Sequence, residues 1–235
     1  MEATRSSGIL FDKDGTLVAF DETWMPAYRT VATELAGGDA SLADRLLRLG
    51  GMDPATGALA PESLFAVGPI SDIATAWRPL LPAGRTDDLE TRVVAGLAAA
   101  TLEHCRPVPG AARLLTRLAG WGFRLGVATN DGENGARAML GKLGLAGPLD
   151  FVAGWDSGYD PKPAPGMVHG FCDATGLAPA AVMVVGDSIA DMEMARRSGA
   201  GAAVAVLSGP CGERELRPRA DRMIDDVTQL EELLP

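Results

Sequence analysis

The chain is poor in the residues that would announce several common chemistries. It has three cysteines, Cys105, Cys172 and Cys211, scattered and odd in number, and no Cys-x-x-Cys pair. That usage excludes a zinc ribbon or a disulfide framework and reads as reduced thiols in a cytosolic protein. There are two histidines, His104 and His169, with no acidic or cysteine partner at metal-ligand spacing; both read as packing or surface residues. Basic residues are outnumbered, 21 Lys and Arg against 31 Asp and Glu, for a formal net charge of −10. A nucleic-acid or anionic-membrane surface needs a basic stripe, so both are excluded as partners, and an anionic substrate requires a locally placed cation. No apolar run reaches the ~18 residues of a membrane span, and no basic-then-apolar signal pattern opens the sequence. The expectation is a soluble, cytoplasmic protein. No G-x-G-x-x-G occurs, and Gly135 to Lys142 fails as a nucleotide loop, with five residues between its glycines and Leu143 where Ser or Thr is needed.

What is present is an ordinary globular composition, 47% hydrophobic and 22% charged over 235 residues, enough for one large domain or for a core with a smaller insert. The stretch Ile9-Leu10-Phe11-Asp12-Lys13-Asp14-Gly15-Thr16-Leu17 organises the rest. Three apolar residues run into two aspartates and a Gly-Thr break, which reads as a buried strand ending in a turn. Ligands of open α/β sheets bind at the carboxyl ends of strands. Two carboxylates there repel each other unless a metal or phosphate chemistry needs them; the alternative is a solvated turn.

From about residue 20 to 105 the periodicity is helical. Helices are expected over Trp24–Leu35, over Ser41–Leu49 with Ser41 and Asp44 at its start, over Ile70–Leu80 and over Thr86–Cys105. A Gly-, Pro- and Ala-rich loop is expected over 50–69. From Pro109 helix and strand alternate: helix Ala111–Leu118, strand Phe123–Ala128, helix Glu133–Leu143 closed by Gly144, strand Phe151–Ala153, a proline-started helix Lys162–Thr175, strand Val182–Val185, helix Ile189–Arg197 with Gly199 beyond it, strand Ala202–Leu207, a short strand at Met223-Ile224, and a helix Val227–Leu234. Alternation of this kind implies a doubly wound parallel α/β sheet. The expected domains are an α/β core of residues 1–18 and 106–235 and an inserted helical block of residues 19–105.

Right-handed crossovers bring the strand ends to one edge of such a sheet. That edge collects Asp12, Asp14, Thr129-Asn130 and Asp187-Ser188, with Lys162 at a helix start beside it. Carboxylates at strand ends form a hard oxygen site suited to Mg²⁺. A hydroxyl, an amide, a lysine and a helix N-terminus form a phosphate clamp. Asp191, four residues after Asp187, is read either as a first-turn acid favouring the helix dipole or as the residue holding Lys162 or a metal-bound water.

Taken together, Phe11-Asp12-Lys13-Asp14-Gly15-Thr16-Leu17, Thr129-Asn130, Lys162-Pro163 and Gly186-Asp187-Ser188-Ile189-Ala190-Asp191 resemble the four ordered motifs of the haloacid dehalogenase superfamily, over the whole chain. The helical block resembles the cap inserted after the first motif, and within the superfamily the likeness is to phosphoglycolate-phosphatase-like proteins. The resemblance implies an Asp12 nucleophile forming an aspartyl-phosphate, Asp14 as general acid and then base, and a transferring phosphoryl group bound by Thr129, Asn130 and Lys162. It also implies Mg²⁺ on Asp12, the backbone carbonyl of Asp14, and Asp187, with Asp191 behind them. The substrate would be a small phosphorylated metabolite, 2-phosphoglycolate among the candidates, hydrolysed by a monomer or homodimer. Trp24, Tyr28, Arg29, Trp77 and Arg78 are candidates for leaving-group contacts, the alternative for each being cap packing or surface. Asp14 argues against a dehalogenase, whose halide leaving group needs no acid. A sugar phosphomutase on the same core and a non-catalytic phospho-acceptor module are the alternatives, although the latter needs neither a cap nor an acid two positions after the nucleophile.

Overall fold

The computed structural model describes residues 7–60, 63–68 and 70–234. The chain divides into two compact units, residues 1–20 with 106–235, and residues 21–105.

The first unit is built on six parallel strands, β1 (Gly8–Phe11), β2 (Arg124–Ala128), β3 (Phe151–Ala153), β4 (Val182–Gly186), β5 (Ala202–Val206) and β6 (Arg222–Ile224), in the order β3-β2-β1-β4-β5-β6. Side chains alternate across a strand, and here both faces are covered. Ile9 and Phe11 of β1 face one apolar cluster with Leu125, Val127, Val185 and Val204. Helix Ala111–Gly120 covers that face through Leu114, Leu115 and Leu118, and helix Glu133–Lys142 through Ala136 and Leu140. Leu10 faces the opposite cluster with Val184, Ala203 and Ala205, covered by Met167 and Phe171 of helix Gly166–Thr175 and by Met192 and Ala195 of helix Ile189–Ser198. Burial on both faces is why these strands read as unbroken apolar runs. It also leaves the two ends of the sheet as the places where polar residues can sit.

Three expectations change in this unit. The helix expected from Lys162 begins at Gly166. Prolines at 161, 163 and 165 push Lys162 and Ala164 out of the helical region, so the helix starts beyond the last of them. The segment expected as an α-helix at the C-terminal end is a 3₁₀ helix, Val227–Leu233. Side chains three apart eclipse in that geometry, and it buries Val227 and Leu230 together. A four-residue helix, Glu213–Leu216, is too short to leave a periodic signal.

The second unit is helical: Asp21 to Ala36, continuing a helix that opens at Phe20, then Ala40–Gly50, Leu64–Val67, Ile70–Trp77 and Leu89–His104, with 3₁₀ turns at Arg78–Leu80 and Ala83–Arg85. Among its described residues there is no strand, only an isolated bridge between Met52 and Leu59 inside the expected loop; positions 61, 62 and 69 of that loop lie outside the described residues. The second helix is capped by Asp39, whose carboxylate accepts from the Leu42 amide at 3.1 Å, in place of the expected Ser41. The core is aromatic. Tyr28 stacks on Phe65 at 3.8 Å, Phe65 meets Trp77 edge-on at 5.9 Å, and the Trp77 indole donates to the Leu46 carbonyl at 2.9 Å. Trp24, Tyr28 and Trp77 are buried, which is the packing alternative for three of the five candidate leaving-group contacts. Arg29 donates to the Pro54 carbonyl and Arg78, which is exposed, to the Thr86 carbonyl. No helix among the described residues is long and apolar enough to cross a membrane.

Candidate active site

Because all six strands run the same way, their carboxyl ends share one edge. Asp12 directly follows β1, Thr129 follows β2, Asp187 follows β4, and Ser208 stands two residues after β5. The Asp12 amide still donates to Val185 across the sheet at 2.8 Å, which pins the residue to the strand end. The chain then turns back sharply. The Leu17 and Val18 amides both donate to the Lys13 carbonyl, and Gly15 adopts φ +79°, a conformation that favours glycine.

Lys162 arrives from the loop after β3. Its ammonium lies 2.5 Å from Asp12 Oδ1 and 2.8 Å from Asp191 Oδ1, all three side chains almost fully buried. Asn130 fixes that lysine from behind. Its side-chain oxygen accepts from the Lys162 amide at 2.9 Å and its nitrogen donates to the Lys162 carbonyl at 3.1 Å. Sequence reasoning had Asn130 beside the phosphate; here its amide braces the backbone of the phosphate-binding candidate. Thr129 is buried, and its hydroxyl accepts from the Asp131 amide at 3.2 Å.

Asp191 sits in the first turn of helix Ile189–Ser198 in a reciprocal cap. The Ser188 hydroxyl accepts from the Asp191 amide, while the Asp191 carboxylate accepts from the Ser188 amide at 3.1 Å and from its hydroxyl at 2.5 Å. One carboxylate oxygen is thus spent on the cap and the other on Lys162. The two readings of Asp191, helix-start acid and holder of Lys162, are both satisfied by the same side chain.

Asp187 differs from its neighbours. It is buried and takes part in no ion pair among the described residues. An oxygen of each of Asp12, Asp187 and Asp191 lies within 4.8 Å of the others. The backbone closes round the Asp187 carboxylate: a methyl group at Gly15 would lie 2.6 Å from its Oδ2, and one at Gly209 would collide with it outright. The Ser208 hydroxyl ties that second loop to the Gly15 carbonyl at 2.6 Å. The result is a cradle of hard oxygens with one lysine for three buried carboxylates. Such a donor set fits Mg²⁺.

The electrostatics carry the same imbalance. Burial pushes the Asp12 carboxyl up from the ordinary 3.8 to about 7, against the attraction of Lys162 and with Asp191 and Asp14 adding to the rise. Burial, then Asp12 and Asp191, push Asp187 well above the ordinary range. Burial disfavours the Lys162 ammonium, but Asp12 and Asp191 together outweigh it and hold the group above the ordinary lysine range. Desolvation thus wins at the acids and charge wins at the base.

Two charged residues in the site escaped sequence reasoning, Lys13 and Asp131. Lys13 is fully buried and pairs with Asp14 at 2.5 Å and Asp131 at 2.9 Å. Opposite charges in the turns after two strand ends were the available signal.

Comparison with known proteins bears on the family and the fold. The family model described as haloacid dehalogenase-like hydrolase matches residues 7–199. A phosphoglycolate phosphatase of Rhodospirillum rubrum is 33% identical over 201 residues, covering 81% of this chain and 76% of the relative. One from Cereibacter sphaeroides is 29% identical over 192 residues, covering 82% and 81%. The fold is shared with a haloacid dehalogenase-like family hydrolase from Streptococcus pneumoniae, with a TM-score of 0.70 at 20% identity over 97% of this chain and 98% of that one.

Proposed function

Because this chain belongs to the haloacid dehalogenase-like hydrolase family, we propose that it is a Mg²⁺-dependent phosphatase of small phosphomonoesters that works through an aspartyl-phosphate on Asp12. The observation that carries the reading is the cluster at the strand ends: a buried carboxylate, Asp12, against a buried ammonium, Lys162, with the unpaired acid Asp187 beside them. The core unit is the catalytic domain in this reading, and the helical block, residues 19–105, takes the part of the cap. The enzyme is assigned to the cytoplasm, where its scattered free thiols stay reduced.

In the first half-reaction an Asp12 oxygen forms a bond to phosphorus as the bond from phosphorus to the ester oxygen breaks. Asp14, two residues on, gives its proton to the departing alkoxide. Lys162 and the Thr129 hydroxyl hold the transferring phosphoryl group and stabilise charge on its oxygens, and Asn130 keeps Lys162 in place. In the second half-reaction Asp14, now a carboxylate, takes a proton from the water that attacks phosphorus. Inorganic phosphate leaves and the Asp12 carboxylate is restored. Mg²⁺, when bound by Asp12, the Asp14 carbonyl and Asp187, supplies positive charge that offsets repulsion between a carboxylate and a phosphate dianion.

The substrate proposed is 2-phosphoglycolate, on the likeness to the Rhodospirillum rubrum relative. A phosphate-release screen over 2-phosphoglycolate, sugar phosphates and nucleotides with Mg²⁺ tests it, with Asp12→Asn as control. The expected result is the highest kcat/KM on 2-phosphoglycolate and background release from the variant, since loss of a nucleophile costs several decades of rate. Retention of more than about a tenth of activity in Asp12→Asn would contradict a nucleophilic Asp12. A clear preference for another ester would replace the substrate and leave the chemistry standing.

A further inference from the structure

Lys13 is an unusual residue to find between two aspartates at a strand end. Its side chain is completely buried, so it cannot touch a substrate. Its ammonium lies 2.5 Å from Asp14 Oδ2, 2.9 Å from Asp131 Oδ2 and 3.6 Å from the Met139 sulfur. Asp14 and Lys13 belong to the turn after β1, and Asp131 to the turn after β2. These strands are direct neighbours, with Phe11 opposite Val127. The Asp131 turn is itself held on two sides. Its amide donates to the Thr129 hydroxyl, and its carbonyl accepts from the Trp155 amide, at 3.0 Å, from the turn after β3. Lys13 is therefore the link that fastens the Asp14 carboxylate to a braced neighbouring turn.

We propose that Lys13 and Asp131 are positioning residues for Asp14, holding its carboxylate where it can pass a proton to the leaving group and take one from water. This rests on the assignment of Asp14 as acid and base. A buried ion pair can equally be a packing device, replaceable by apolar residues at little cost in stability. The two roles differ in what they do to the two half-reactions. A packing defect disturbs both. Misplacement of Asp14 spares phosphorylation by p-nitrophenyl phosphate, whose phenolate leaves with little help from an acid. It slows dephosphorylation, where water must lose a proton to Asp14.

Rapid-quench kinetics with p-nitrophenyl phosphate and Mg²⁺ separate the steps. Lys13→Met keeps the length of the side chain beside Met139 and removes the charge. It should leave the phosphorylation rate within about threefold and slow dephosphorylation on the order of 10²-fold, the usual cost of misplacing a reacting group by about an ångström. Nitrophenolate should appear as a burst, with acid-stable phosphoenzyme accumulating. Asp131→Ala, at a partly exposed side chain, should shift the same ratio in the same direction and serves if Lys13→Met folds poorly. Asp14→Asn is the reference and should give the largest burst. If Asp14→Asn bursts while the variants at 13 and 131 slow both steps equally or neither, the positioning role is overturned and Asp14 keeps its assignment. If Asp14→Asn gives neither burst nor phosphoenzyme, the assignment of Asp14 itself has failed.

Discussion

Replacing Asp12, the proposed nucleophile, should make the metal-free protein more stable, by an amount that depends on pH. In the unfolded chain the Asp12 carboxyl releases its proton near 3.8; in the fold, burial raises that point to about 7. Between the two the native state keeps a proton that the unfolded state has lost, so stability falls as pH rises through this window and the loss is complete above it. At about 1.4 kcal/mol for each pH unit of displacement, the full loss is roughly 4 kcal/mol. Asn at position 12 has no proton to lose, and Lys162 keeps its contact with Asp191. Asp12 also helps to push Asp187 upward, so removing its charge relaxes a second acid in the same direction. From pH 5 to pH 8 the stability of Asp12→Asn should therefore gain on wild type by about 2–3 kcal/mol.

The measurement is urea unfolding in EDTA at pH 5, 6, 7 and 8, followed by far-UV circular dichroism and extrapolated to water. Wild type should weaken across the series and the variant much less. Adding Mg²⁺ at pH 8 should stabilise wild type more than the variant, because a ligand that binds only the native state stabilises it by mass action. Parallel pH curves for the two proteins in EDTA would refute the reasoning, and with it the idea that burial disfavours the charge on Asp12.

Three shorter predictions concern the chemistry. Asp14→Asn should lose ~10²–10⁴-fold in phosphorylation rate on an alkyl phosphate, whose alkoxide needs a proton, and far less on p-nitrophenyl phosphate; equal losses in rapid-quench assays would remove Asp14 from the role of acid. Chelation should abolish turnover, with Mg²⁺ restoring it and Ca²⁺ restoring it poorly, because Ca²⁺ takes more ligands at longer distances; full activity after exhaustive chelation would contradict the role given to Asp187. Gly209→Ala would place a methyl group against the Asp187 carboxylate and should cost about 10–100-fold in Mg²⁺ affinity by calorimetry; unchanged affinity would mean that the loop yields and cradles nothing.

Much of the core is legible because its strands are buried on both faces. Ile9-Leu10-Phe11 and Val182 to Val185 are short unbroken apolar runs; the first is followed at once by Asp12, the second by Gly186 and then Asp187. Boundaries failed where local chemistry overrode the pattern, as at Pro161, Pro163 and Pro165, which delay a helix to Gly166. The helical block was readable as helices but not as a surface. Trp24, Tyr28 and Trp77 have the composition of ligand contacts, and only packing reveals that they fill a core. At the site, residues at strand ends were legible because topology alone gathers them. Lys13 was not, because whether a charge beside a strand end turns outward or inward is decided by a partner more than a hundred positions away, Asp131. Gly209 was invisible for a related reason: its importance lies in the carboxylate pressed against it, and glycine leaves no trace of its neighbours in the sequence.

The charges at the edge of the sheet are why the proposed chemistry includes a metal. Asp12, Asp187 and Asp191 face one ammonium, Lys162. The other buried cation among the described residues, Lys13, is paired with Asp14 and Asp131. A chain of net charge −10 supplies no wider positive field to draw in a phosphate. With Asp12 and Asp187 ionised the site would carry the wrong sign for the proposed phosphomonoester, and a protonated Asp12 could not serve as the proposed nucleophile. A divalent cation would resolve both difficulties at once under the proposed mechanism: bound there, it would favour the ionised forms of Asp12 and Asp187 and let Lys162 bind phosphoryl oxygens. The raised Asp12 and Asp187 and the single lysine facing them are thus two sides of one arrangement, a charge deficit that the proposed Mg²⁺ would fill.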